Sequence, residues 1–295
     1  MHPVLSDLIH LLGLERIEDN IFRGESRDIG SAQVFGGQVL GQALSSAQHT
    51  VDGRVAHSLH AYFLRRGDMD APIVYEVDRA RDGGSFSNRR VVAIQHGRPI
   101  LNLAASFQNP EQGIEHHSIM PDVPRPDDCP SIRDVVGEVA HELPQKLRRN
   151  LAENSPFDIR PAKEDAKSLP PTKQVWFRVV DQLSDDLALH QNLLAYASDY
   201  ELLGVSTMPH NLPFGQGAII MASLDHALWF HREFRIDEWL LYSIDSPNAS
   251  GARGLSRGQF FNADGKLVAS VTQEGLVRVV EAGTKFQRSD PAEQK

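Results

Sequence analysis

Four groupings of residue types in this chain could do chemistry. Gly254-Leu255-Ser256-Arg257-Gly258 has the G-x-S-x-G spacing of a nucleophile elbow. An elbow needs a strand, a sharp turn and a helix, with its carboxylate and histidine partners later in the chain. No histidine follows His231, and Ser256 leads into Gln259-Phe260-Phe261 and the hairpin-type pair Asp264-Gly265 rather than a helix, so the match reads as accidental. Ser223, Asp225 and His226 bring a hydroxyl, a carboxylate and an imidazole within four positions. In an uninterrupted strand Ser223 and His226 would face opposite sides, so Asp225 and His226 read as structural. His57 with His60, and the pair His116-His117, offer imidazoles to a metal, but no H-E-x-x-H helix accompanies them. Arg89 and Arg90 are adjacent on a strand-like run and point to opposite faces. One of them, or Arg65, Arg253 or Arg257, could reach a phosphate; a surface ion pair accounts for each equally well.

The elements that must hold such groups fall into two similar halves. Leu5, Leu8, Leu11 and Leu12 have helical spacing. A strand at Asn20–Gly24 precedes a helix over Gly36–Val51, in which Gly37, Gly41 and Ser45 share one face. Such small side chains let a helix approach a sheet closely. Strand-like runs follow at Val55–Leu64, Ile73–Arg81, Phe86–Gln95 and Ile100–Gln108, with a hairpin turn at His96-Gly97. The second half repeats this order: a strand at Val175–Val180, a helix over Leu187–Leu203, then strands at Ile219–Phe230, Trp239–Ile244, Leu255–Phe261 and Leu267–Val279. Asp264-Gly265 is a hairpin signal between the last two. Local sequences also rhyme at a constant offset: Ser58-Leu59-His60 with Ser223-Leu224-Asp225, and Ala105-Ser106-Phe107-Gln108 with Ser270-Val271-Thr272-Gln273. Each half therefore reads as a sheet wrapped around a central helix. Between them, ten of the 17 prolines lie from Pro110 to Pro171, around one helical stretch at Ser131–Arg149. Proline removes a backbone donor and resists regular elements, so this region reads as a connector. The expected division is 1–115, a connector at 116–171, and 172–295.

Composition excludes several classes. With 41% hydrophobic and 23% charged residues among 295, the chain reads as globular. A net charge of −9 argues against a nucleic-acid partner. No apolar run approaches the ~18 residues of a membrane span. The N-terminus shows no basic-then-apolar leader, and the C-terminus is not of the S-K-L kind. Cys129 is the single cysteine, which rules out an intramolecular disulfide and a cysteine zinc site and fits a reducing, cytoplasmic setting.

Specific segments resemble a known family. Gln33 to Leu44, His57 to Asp68, Arg81 to Val91, Tyr196-Ala197-Ser198-Asp199, Leu224 to Arg232 and Gln273-Glu274-Gly275 occur in the order seen in the acyl-CoA thioesterase II (TesB-type) family. The similarity runs from about Leu5 to about Arg278. It implies an α+β double hotdog, with two repeated halves, each an antiparallel sheet around a long central helix. It also implies three functional positions, which fall on Asp199, Ser223 and Gln273. By pattern alone Asp199 reads as a solvated residue at a helix end, and Ser223 and Gln273 as ordinary strand residues; the resemblance is what assigns them. Ser223 stands where threonine is common and keeps the hydroxyl. Arg66 stands where proline is frequent.

The activity implied is hydrolysis of medium- to long-chain fatty acyl-CoA, with water activated by Asp199 and held by Ser223 and Gln273. No metal, nicotinamide or covalent intermediate is required. A polyanionic coenzyme A would need a local basic patch against the acidic global charge. A homo-oligomer, dimer or tetramer, is expected by resemblance. An enoyl-CoA hydratase or dehydratase of the same fold, and a non-catalytic acyl-CoA binding protein, are the alternative readings.

Overall fold

A computed structural model of the chain describes residues 1–27, 33–138, 154–210 and 219–280. Helix α1 (Pro3–Leu12) buries Leu5, Leu8, Leu11 and Leu12, the face anticipated from their spacing. Strands β1 (Glu15–Glu18) and β2 (Ile21–Gly24) follow, then helix α2 (Gly36–Gln48). The rest of the first half is β3 (Val55–Phe63), β4 (Ile73–Asp82), β5 (Phe86–Gln95) and β6 (Arg98–Gln108). His96 and Gly97 both take positive φ, as the two-residue turn between β5 and β6 requires.

The connector contributes helix α3 (Ile132–Glu138); the rest of the helix expected to Arg149 lies outside the described residues. Strand β7 (Phe157–Asp165) falls within the range read as connector and pairs antiparallel with β8 (Thr172–Val179). Pro156 and Pro161 hide this strand from a sequence reading. The structure accommodates Pro161 because β7 is the edge of the sheet, where a missing donor breaks few bonds. Earlier in the connector, Met120, Val123 and Cys129 pack against Trp176, Leu241, Phe261 and Leu267, and Trp176 Nε1 donates to Pro124 O at 2.8 Å.

The second half holds helix α4 (Leu187–Ala197), then β9 (Ile219–Ser223), β10 (Asp225–Phe230), β11 (Leu240–Ser250), β12 (Arg253–Asn262) and β13 (Leu267–Val279). Two expectations fail here. The helix expected to reach Leu203 ends at Ala197, followed by Glu201 at φ 64° and a 3-10 segment at Leu203–His210. The strand expected over Ile219–Phe230 is two strands broken at Leu224.

All strands join one antiparallel sheet, ordered β1-β2-β4-β5-β6-β3-β10-β13-β12-β11-β8-β7, with β9 also paired to β13. The two halves of this order mirror each other about the β3–β10 pair. There His226 lies opposite Ala61, its counterpart at the same sequence offset as the rhyming segments. The fold is a double hotdog.

The two long helices lie against each other inside this sheet. Gly37 and Gly41 make the approach possible, but the surface they approach is α4, not a sheet. A methyl on Gly37 would press into the Tyr196 carbonyl, and one on Gly41 would come within 3.0 Å of the Asn192 carbonyl. Both helices are buried nearly all round, so their polar residues must find partners inside. Gln42 Nε2 donates to Leu11 O at 2.6 Å, Gln42 Oε1 accepts from the Tyr75 hydroxyl at 2.7 Å, and Gln191 Nε2 donates to Ala56 O at 2.7 Å.

Candidate active site

The early end of α4 positions the first candidate. Ser198 N–H closes the last turn on Leu194 O, and Tyr200 N–H bonds Ala197 O, so the chain turns at once and carries Asp199 out of the helix. The buried Tyr242 hydroxyl donates to Ser198 O at 2.8 Å and holds this turn. Asp199 then meets the start of α2 from the other half. Gly37 N–H donates to Asp199 Oδ2 at 2.9 Å. The amides of a first helical turn lack intrahelical acceptors and sit at the positive end of the helix dipole, so a carboxylate is stabilised there. Gly36 keeps the space open, since a methyl on it would lie 2.6 Å from Asp199 Oδ2.

Ser223 ends β9 and donates to Asp199 Oδ1 at 3.4 Å. Gln273, 1% exposed on β13, donates through Nε2 to Ser223 Oγ at 2.6 Å. The structure therefore brings Asp199, Ser223 and Gln273 together in one hydrogen-bonded cluster drawn from a helix end and two strands.

It also adds His226, which the sequence reading set aside as structural. His226 Nδ1 lies 2.8 Å from Gln273 Oε1, and Nε2 lies 2.9 Å from Ser198 Oγ. The assumption that placed Ser223 and His226 on opposite faces was an unbroken strand. The register shows otherwise. Ser223 of β9 pairs with Gly275 and Ala227 of β10 with Thr272, so four steps across the break at Leu224 match three on β13. One extra residue, a β-bulge, reverses the alternation and turns His226 to the side of Gln273. Asp225 keeps a structural part, accepting Glu274 N–H at 2.7 Å.

Burial pushes the Asp199 carboxyl above the ordinary carboxylate range, against the opposing pull of His226, Gln273, the Gly37 N–H and Ser223. Burial likewise holds His226 below the ordinary imidazole range, although Asp199 draws it upward. The cluster thus pairs a carboxylate with raised proton affinity and a neutral imidazole.

A cleft of about 270 Å³ opens beside the cluster. Gly36 and Val39 of α2, Phe63 to Arg66, and Ala222 to Leu224 line it, so Ser223 faces its interior. Arg65, which donates to Pro99 O at 2.7 Å, and Arg66 bring positive charge to the same cleft.

The other sequence candidates do not join this cluster. Ser256 sits inside β12, fully buried, with no following helix. Arg89 is 1% exposed and held by Thr50 Oγ1 at 2.8 Å, Thr50 O at 2.9 Å and Asp82 Oδ1 at 2.8 Å, so its guanidinium is a structural bolt, not a phosphate ligand. Arg253 pairs with Glu274 at 2.9 Å and Arg257 with Asp245. Exposed Arg90 lies 3.8 Å from Asp78.

Comparison with known proteins agrees with this fold. Residues 23–108 match the family model "Acyl-CoA thioesterase N-terminal domain", and residues 152–276 match "Acyl-CoA thioesterase". Acyl-CoA thioesterase 2 of Haemophilus influenzae is 44% identical over 95% of this chain and 100% of its own length. The chain belongs to the acyl-CoA thioesterase II (TesB-type) family. Human acyl-coenzyme A thioesterase 8 is 38% identical, covering 91% of this thioesterase and 88% of the human chain. The crystal structure of an acyl-CoA thioesterase II, TesB2, from Mycobacterium marinum superposes with a TM-score of 0.78 at 43% identity, covering 93% of this chain and 99% of that one. The thioesterase is accordingly a thioester hydrolase acting on acyl-CoA. Among its described residues, no helix is long and apolar enough to cross a membrane.

Proposed function

We propose that this enzyme hydrolyses medium- to long-chain fatty acyl-CoA with water activated at Asp199. The observation that carries the reading is the convergence of Ser223 and Gln273 on that carboxylate beside a cleft. A general base works best when its proton affinity approaches the operating pH, and burial moves Asp199 in that direction. Water held by Asp199 and Ser223 gives its proton to the carboxylate as its oxygen attacks the thioester carbonyl. The developing oxyanion is placed at the N-terminal turn of α2, where backbone dipoles favour negative charge. Collapse of the tetrahedral intermediate breaks the C–S bond, and the proton on Asp199 passes to the departing thiolate. Products are the free fatty acid and coenzyme A.

Val34, Val39, Phe63, Ile100 and Leu101 give the cleft an apolar wall for the acyl chain. Arg65 and Arg66 supply, against the net charge of −9, local positive charge for the coenzyme A phosphates. The reading includes a homo-oligomer, dimer or tetramer, supported by the exposed Tyr62 and Leu64 beside the central strand pair. It also includes a cytoplasmic setting, supported by a single unpaired cysteine.

The test is free-thiol release from decanoyl- and palmitoyl-CoA by the wild type and Asp199→Asn. A fall of roughly 10³-fold or more in kcat with KM nearly unchanged is expected for loss of a base that acts in the transition state. Equal release by both proteins places the base elsewhere.

A further inference from the structure

Gln273 can serve the reaction only in one orientation. Its carboxamide has an oxygen end and a nitrogen end of nearly the same shape, and rotation by half a turn exchanges them. With Nε2 toward Ser223 and Asp199, it donates to the hydroxyl and stabilises the carboxylate. Reversed, it would present an oxygen to the carboxylate and capture the Ser223 hydrogen that otherwise goes to Asp199. Something on the far side must prefer the first orientation. The polar partner of Oε1 is His226 Nδ1, at 2.8 Å.

The hydrogens of the cluster then fall into one consistent order. Ser198 has a single hydroxyl hydrogen and two acceptors in reach, Ala195 O and His226 Nε2, each at 2.9 Å. When that hydrogen goes to Nε2, neutral His226 carries its own on Nδ1 and donates to Gln273 Oε1. The order runs Ser198 to His226 to Gln273 to Ser223 to Asp199, every group donating to the next and the last acceptor carrying the charge. Bonds ending on an ionised acceptor are the stronger ones, and successive bonds polarise one another in a dry interior. The other tautomer leaves a lone pair on Nδ1, reverses Gln273 and breaks the bond from Ser223 to Asp199. Both His226 and Gln273 are 1% exposed, so water cannot replace the lost partner cheaply.

We infer that His226 is a positioning residue for thioester hydrolysis, donating from Nδ1 to Gln273 so that the carboxamide presents its NH2 group to Ser223 and Asp199. The inference rests on the assignment of Asp199, Ser223 and Gln273 as the reacting cluster.

The experiment measures kcat and KM for decanoyl-CoA in His226→Phe, His226→Asn, Gln273→Ala, the His226→Phe/Gln273→Ala double variant and Asp199→Asn, with an unfolding midpoint for each. Asparagine places an amide N–H near where Nδ1–H stood. His226→Phe is expected to lower kcat by roughly 10- to 100-fold with KM within about threefold, as misplacement of a reacting group does. His226→Asn is expected to recover most of that loss. Once Gln273 is alanine, His226→Phe is expected to cost less than about threefold more, because a residue acting through another adds nothing in its absence. Wild-type kcat in His226→Phe, or an undiminished further loss in the Gln273→Ala background, overturns the inference. Should the phenylalanine variant not fold, His226→Asn is compared with His226→Gln, whose amide falls near Nε2. A kcat at least about tenfold higher for asparagine is expected, and equal values overturn it. Asp199→Asn separates the two levels. Its full activity sinks the assignment of the base, whereas its inactivity beside an active His226→Phe sinks only the role of His226.

Discussion

Gly37, the second residue of the first half's central helix, donates its backbone N–H at 2.9 Å to the carboxylate of Asp199, just past the end of the second half's helix. The candidate site therefore spans both halves, and the packing of α2 on α4 sets its dimensions.

Gly37→Ala tests that packing. The added methyl meets a backbone carbonyl, that of Tyr196, which cannot rotate away, so the helices must separate. Overpacking of this kind costs about 1–3 kcal/mol, and displacement of Gly37 N–H also disturbs Asp199. Thermal unfolding should show a midpoint lower by roughly 2–4 °C for each kcal/mol, together with a fall in kcat. Gly41→Ala meets its nearest carbonyl, that of Asn192, at 3.0 Å and is expected to lose less of both.

On the proposed mechanism Ser223 acts through its oxygen. Ser223→Ala leaves Gln273 Nε2 without the acceptor it holds at 2.6 Å and removes a donor to Asp199. A drop in kcat of roughly 10²-fold is expected, the size typical of losing a positioned polar group at a reacting centre. Ser223→Thr retains the hydroxyl and is expected to stay within about threefold of wild type, since only rotamer freedom changes. Steady-state thiol release distinguishes the two outcomes.

The raised proton affinity of Asp199 has consequences for activity and for stability. With Asp199 as the proposed base, hydrolysis needs the ionised carboxylate, so kcat/KM is expected to fall on acidification with a midpoint above the ordinary aspartate value of about 3.9. For stability the sign is opposite to that of a salt-bridged carboxylate. Between about 3.9 and the higher folded value, the native state binds more protons than the unfolded chain, so stability declines as pH rises through that window. Above it the buried charge is a standing cost. Asp199→Asn keeps an oxygen for Gly37 N–H and removes that charge, so at neutral pH it is expected to unfold at a higher temperature than wild type while losing activity. A lower midpoint for the variant would show that its hydrogen bonds outweigh desolvation.

Arg89 separates structural from substrate-binding arginines. Its guanidinium ties the end of α2, through Thr50, to Asp82 on β4. Arg89→Ala is expected to cost about 3 kcal/mol, the order for removing buried bonds to a charged group, with KM for acyl-CoA within about twofold. A large rise in KM without loss of stability would return Arg89 to the phosphate site.

The sequence by itself determined the architecture and named three residues of the candidate site. The hydrophobic period marked the strands, the hairpin pairs His96-Gly97 and Asp264-Gly265 fell at real turns, and the constant offset between rhyming segments revealed the repeat. These are local signals, because side-chain periodicity and turn preference depend on neighbours in the chain. The resemblance located Asp199, Ser223 and Gln273, which no spacing rule would have joined across 74 positions (273 − 199). What only the tertiary structure decided is nonlocal. Whether Gly37 and Gly41 meet a sheet or a helix depends on which surface lies opposite. Strand β7 exists because the sheet has an edge there that tolerates Pro161. His226 joins the site because the chain passing from β9 to β10 carries one more residue than β13 between matched pairs, and register between strands is a property of the pairing that no sequence segment contains alone.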